Sequence, residues 1–171
     1  MQSYRMSPGS KVFQHVAWFV PVALAVPALF GAVAATSGTT TAVVDAGIVA
    51  DTTITIRTFA TNLSFEPDRI AVRAGTTVRI RYVNESTLAH NLVIVRTDDD
   101  IDTLGMAAHA ASETGFVPMQ HKDRMIAYSP LASPGKTVEM TFVAPAAGEY
   151  PFACLVDGHY NVMVGMLRSR P

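Results

Sequence analysis

The chain has a single cysteine, Cys154, so no intramolecular disulfide can staple it. Charge is also scarce, at 16% of its 171 residues. No basic excess is present: beyond residue 35, eleven Lys and Arg face fourteen Asp and Glu. That balance excludes a polybasic nucleic-acid surface. No two of its five histidines form a His-x-His pair, and no internal repeat is visible. Helical periodicity is nearly absent as well. Only Asp100 to Ser112, Ala-rich with Leu104 and Met106, reads as a helix.

Charge is missing altogether from Val16 to Ala35 (VAWFVPVALAVPALFGAVAA), and Arg5 and Lys11 precede that run. Ala32-Val33-Ala34 supplies small residues of the kind that precede a cleavage site. The run is near the roughly 20 residues that span a bilayer, and Pro21 and Pro27 are tolerable in such a helix. Residues 1–35 are therefore expected to be a signal peptide or an N-terminal apolar helix that anchors the chain. Both readings place the remainder in the periplasm or another extracytoplasmic space, free or membrane-tethered through residues 16–35. Residues 36–51, mostly Ser, Gly, Thr, Ala and Val, read as a flexible tether.

From Thr52 to the end, residues 52–171 form one expected domain, and strands dominate it. Thr53–Arg57 and Thr77–Val83 alternate apolar with polar residues. Arg69–Arg73, Leu92–Val95, Arg124–Tyr128, Lys136–Val143, Glu149–Ala153 and Val164–Arg168 complete the set. Ala74-Gly75, Pro134-Gly135 and Ala147-Gly148 supply the turns. Seven or eight short strands with one helix in a connecting loop predict an all-β, two-sheet sandwich.

The most informative segment follows the lone cysteine: Cys154-Leu-Val-Asp-Gly-His159-Tyr-Asn-Val-Met163. A lone cysteine is commonly a small buried hydrophobe. Here a thiolate, an imidazole and a thioether follow one another in a C-x4-H-x3-M spacing. A second imidazole, His90, lies upstream in Ala89-His90-Asn91. One thiolate, two imidazoles and a weak thioether make the donor set of a blue-copper electron-transfer site. His109 and His121 have no partners at suitable spacing and read as surface or loop residues. Asp98-Asp-Asp-Ile-Asp102 lacks the spacing of a calcium loop and reads as an acidic turn capping the helix.

These residues resemble the cupredoxin family, in particular its azurin and auracyanin branch. The resemblance runs from about Thr52 to Arg168. It includes Phe65-x-Pro67-x3-Ile70-x-Val72-x2-Gly75, Ala89-His90-Asn91, Asp123-Arg-Met-Ile-Ala-Tyr and Gly148-Glu-Tyr-Pro-Phe-Ala-Cys154. It implies a Greek-key β-sandwich and one copper per chain, held by His90, Cys154, His159 and Met163. It further implies a weak axial contact from the Ala89 carbonyl, where azurin has glycine. Asn91 would tie the ligand loops together, and the Val156 amide would donate toward the Cys154 sulfur.

Leu155-Val-Asp-Gly departs from the Thr-Phe-Pro-Gly common in azurin-like loops, and Asp157 brings a carboxylate beside His159. The implied activity is one-electron transport through His159, by weak transient docking of redox partners. Leu155, Val156, Tyr160 and Met106 are expected to form the apolar patch around it. The expected species is a monomer without catalytic chemistry, since a second copper centre would need further histidines and a binuclear centre a second cysteine. Copper storage or delivery is the alternative that the same donors allow.

Overall fold

The computed structural model describes residues 49–171. The expected signal or anchor (1–35) and most of the tether (36–48) lie outside the described residues. At the end of that expected tether, Asp51 is already docked. Its amide donates to the Thr77 carbonyl (2.8 Å), and its carboxylate accepts from the Thr77 amide (2.7 Å).

Eight strands follow: β1 (Thr52–Ala60), β2 (Arg69–Arg73), β3 (Thr77–Ser86), β4 (Val93–Val95), β5 (Met125–Tyr128), β6 (Thr137–Val143), β7 (Gly148–Ala153) and β8 (Val164–Arg170). They form a three-stranded sheet, β1-β3-β6, and a five-stranded sheet, β2-β8-β7-β4-β5. β1 runs parallel to β3, from Thr52 opposite Val78 to Ala60 opposite Ser86. β2 runs parallel to β8, while β7 is antiparallel to both β8 and β4. The all-β sandwich read from the strand pattern is the observed architecture.

Alternation decides what each strand buries. In β2 it is Ile70 and Val72, in β6 Met140 and Phe142. Between the sheets Phe65 meets Tyr82 and Phe152 edge-on, with ring centroids 5.8 and 5.2 Å apart. Inward positions of β3 begin apolar, at Val78, Ile80 and Tyr82. They then turn polar at Asn84 and Ser86, although both remain buried. Fully inward polar residues are uncommon and need partners. Theirs lie at the metal-donor end of the sandwich.

Among the described residues the one α-helix, α1, spans Asp98–Ala108 and continues as a 3₁₀ turn over His109–Thr114. It starts two residues before the sequence-based boundary because Thr97 caps it. The Thr97 amide and hydroxyl both donate to the Asp100 carboxylate (3.1 and 2.9 Å). Three aspartates in the first turn complement the positive end of the helix. Burial alone would raise the Asp100 carboxyl. The Arg124 guanidinium, 2.6 Å away, and the Thr97 bonds outweigh it and hold the carboxyl below its ordinary value. Ile101, Leu104 and Ala108 bury the inner face of the helix against Val93, Val95 and Leu155. No helix among the described residues is long and apolar enough to cross a membrane.

Candidate metal centre

Strand β7 delivers the chain to Cys154, one residue past its end, and the sulfur is fully buried. The following loop folds back on itself. The Val162 and Met163 amides both donate to the His159 carbonyl (3.0 and 2.7 Å), and the Cys154 amide donates to the Met163 carbonyl (3.1 Å). At its tip Asp157 (φ 42°, ψ 42°) and Gly158 (φ 79°, ψ 7°) are both left-handed. Two successive positive φ angles make a type I′ turn, for which Asp-Gly is a favoured pair. The family's Pro-Gly cannot take this shape, because proline is locked near φ −65°. The departure in sequence is thus a different turn.

The ring of His90 is fully buried, while that of His159 is partly exposed. Nδ1 of His90 lies 3.6 Å and Nδ1 of His159 3.5 Å from the Cys154 sulfur. The three donor atoms all lie within 4.8 Å of one another. His109 and His121 do not join them. Met163 is fully buried and belongs to the same core cluster as Cys154, Val156 and Ala132.

Electrostatics prepare these groups for a cation. Burial, then the neighbouring His159, pushes His90 down to about 4. His159 is also lowered by burial, with Asp157 opposing. Both rings therefore offer neutral lone pairs at neutral pH. Burial pushes the Cys154 thiol up to about 11, against the backbone amides of Asn91 and Val156, which donate toward it. A bound cation would reverse that balance, because a coordinating thiol loses its proton. One sulfur and two imidazole nitrogens converging in a mostly buried pocket, with no carboxylate among them, fit a soft or borderline transition metal and not calcium or magnesium.

The Asn91 side chain bonds to two separate loops. Its Oδ1 accepts from the Leu155 amide (2.8 Å), and its Nδ2 donates to the Gly115 carbonyl (2.8 Å). The Asn91 and Val156 amides both donate toward the sulfur. The expected apolar patch needs correction. Leu155 (0% exposed) packs under α1, and Val156 (4%) lies in the main core, so neither presents surface. Val162 (61%) and Met106 (72%) are exposed, and Tyr160 is partly buried.

The sequence model described as copper binding proteins of the plastocyanin/azurin family matches residues 52–168. The chain belongs to that family. Within this copper-binding family it falls in the azurin and auracyanin branch. Auracyanin-A from Chloroflexus aurantiacus is 40% identical over 120 residues, 67% of this chain and 72% of that protein. The solved structure of auracyanin A, a "blue" copper protein, matches with TM-score 0.66 and 38% identity over 69% of this chain and 98% of that one. Reduced auracyanin from Roseiflexus castenholzii matches with TM-score 0.66 and 32% identity over 72% and 100%. A copper-resistant cuproprotein, CopI of Pseudomonas aeruginosa, is 30% identical over 131 residues, 64% of this chain and 72% of that protein. The protein is accordingly a blue copper cupredoxin, with His90, Cys154 and His159 arranged as its metal site.

Sequence reasoning missed two features of this site. Ser86, whose hydroxyl reaches the far side of His90, and Asn84, bonded to Ser86, were legible only as polar residues just past the expected strand Thr77–Val83. Gly105 was the other. A Cβ there would lie 2.5 Å from the Tyr160 ring, so glycine lets α1 press against the loop that carries His159.

Proposed function

We propose that the protein shuttles single electrons between redox complexes outside the cytoplasm, with His159 as the port. The carrying observation is the unequal burial of the three donors: Cys154 and His90 are sealed, and only His159 reaches the surface. Copper supplies the one-electron couple when bound. The chain holds Cys154 and His159 in a loop closed by its own hydrogen bonds and His90 against Ala132, which limits rearrangement between oxidation states. Met163 and the Ala89 carbonyl would be further, weaker donors to the bound metal. Both readings rest on loop position and the family likeness.

Tyr160, Val162 and Met106 give partners an apolar rim around His159, suited to the small interfaces of electron-transfer encounters. The carrier acts as a monomer. Its apolar segment 16–35 exports it or tethers it to the membrane.

The visible spectrum of the Cu(II)-loaded protein, with a redox titration of the same sample, tests this. An intense blue charge-transfer band, bleached reversibly by one electron, is expected. A colourless protein that still holds Cu(I) would overturn it in favour of storage or delivery.

A further inference from the structure

The side of His90 away from the sulfur is occupied by groups that no metal touches. Its Nε2 lies 3.0 Å from the Ser86 hydroxyl. Where the protons sit in this buried cluster follows by elimination. Nδ2 of Asn84 is 2.7 Å from the Leu88 carbonyl and 2.8 Å from the Ala132 carbonyl. Carbonyls only accept, so that end of the Asn84 side chain must be its nitrogen. Its oxygen therefore faces Ser86. It accepts from the Ser86 amide at 3.0 Å and lies 2.7 Å from the Ser86 hydroxyl.

The hydroxyl has one proton and two acceptor lone pairs. Turned toward His90, that proton would leave two oxygens with opposed lone pairs at 2.7 Å. Directed to Asn84, it leaves lone pairs for the Leu88 amide (3.2 Å) and for His90. Nε2 must then carry the imidazole proton, and Nδ1 is left bare toward Cys154.

We infer that Ser86, oriented by Asn84, is a positioning residue that fixes His90 in the Nε2–H tautomer and so aims its Nδ1 lone pair into the metal site before any metal arrives. The inference rests on the metal-site reading above, but its mechanism is set by the sandwich. Asn84 and Ser86 are inward positions of β3, and the carbonyl of Ala132 that orients Asn84 also accepts from the His90 amide at 3.0 Å. The His90 loop is thus clamped by side chain and backbone together. Second partners of this kind typically change metal affinity 10- to 100-fold when removed.

Nitrogen NMR of the histidine rings in the metal-free, full-length protein reads the tautomer directly. His90 is expected as Nε2–H, with that proton exchanging slowly with solvent. An Nδ1–H ring in the wild type overturns the inference without any variant. Ser86→Ala should lose the slow exchange and bind zinc, used as a colourless probe, roughly 10- to 100-fold more weakly. Ser86→Thr, which keeps the hydroxyl, should restore both. Equal loss in the two variants would make Ser86 a packing residue only, and an unchanged Ser86→Ala would dismiss it. If Ser86→Ala fails to fold, the wild-type tautomer and Ser86→Thr still decide. A wild type that never turns blue would instead remove the electron-carrier reading and leave the tautomer result standing.

Discussion

The two histidines of the site are held in opposite ways. His90 is fully enclosed, with Ser86 and Asn84 behind its ring and Ala132 bonded to its backbone, all parts of the sandwich or its connections. His159 sits on a ten-residue loop that is closed by its own backbone bonds and backed by α1 through Tyr160. One ligand is thus placed by long-range topology and the other by a local turn. The difference separates two demands on the site. A sealed side can keep its shape regardless of what docks, while the open side can be reached by a partner.

The largest expected effect removes what both sides share. Cys154→Ser should abolish the blue colour of the copper-loaded protein, and a variant that stays blue would refute the role given to Cys154. Next, Gly105→Ala strikes only the His159 side, by driving a methyl group into the Tyr160 ring. Overpacking of this kind costs about 1–3 kcal/mol. We expect a matching drop in the denaturation midpoint, with the Nε2 proton of His90 still protected. Loss of that protection would show that the two sides are not independent.

Asp100→Asn loosens the same side from further away, at the start of α1. Hydrogen bonds to charged groups are worth roughly 1.5–3 kcal/mol. The exposed half of the Arg124 partner argues for the lower end. Because the folded carboxyl is held below its ordinary value, its contribution is present at neutral pH and lost as pH falls through the folded value. Stability curves of wild type and Asp100→Asn should therefore separate near neutrality and converge in acid. Parallel curves would count against the ion pair.

The smallest effect is electrostatic. Asp157→Asn keeps a residue that tolerates positive φ while deleting the charge beside His159. A screened surface charge is worth at most about 1 kcal/mol, and a one-electron couple moves ~59 mV per tenfold change. The potential should rise by a few tens of millivolts (~20–40), measured by titration at low salt, and the increment should shrink as salt is added.

Strand alternation and the C-x4-H-x3-M spacing were readable from the chain because each is a local pattern. The eight strands and the convergence of His90, Cys154 and His159 follow from them. What escaped was set by contacts across long sequence separations. Leu155 and Val156 look like surface residues of a loop, but α1 and the core close over them. Asn84 and Ser86 look like the frayed end of a strand, whose partners at His90 and Ala132 appear only once the sheets are packed. Gly105 reads as a helix flaw until the ring of Tyr160 is seen against it.

The parallel pairing of β1 with β3 has a practical consequence. Thr52 lies opposite Val78, eight residue steps from Ser86 and the His90 end of the sheet, which at about 3.3 Å per step is roughly 26 Å. Anything joined to the chain just before Thr52, whether an electrode linker or a fused enzyme, therefore attaches at the far pole. The copper protein would stand upright on such a support, with its metal-donor end turned away from it.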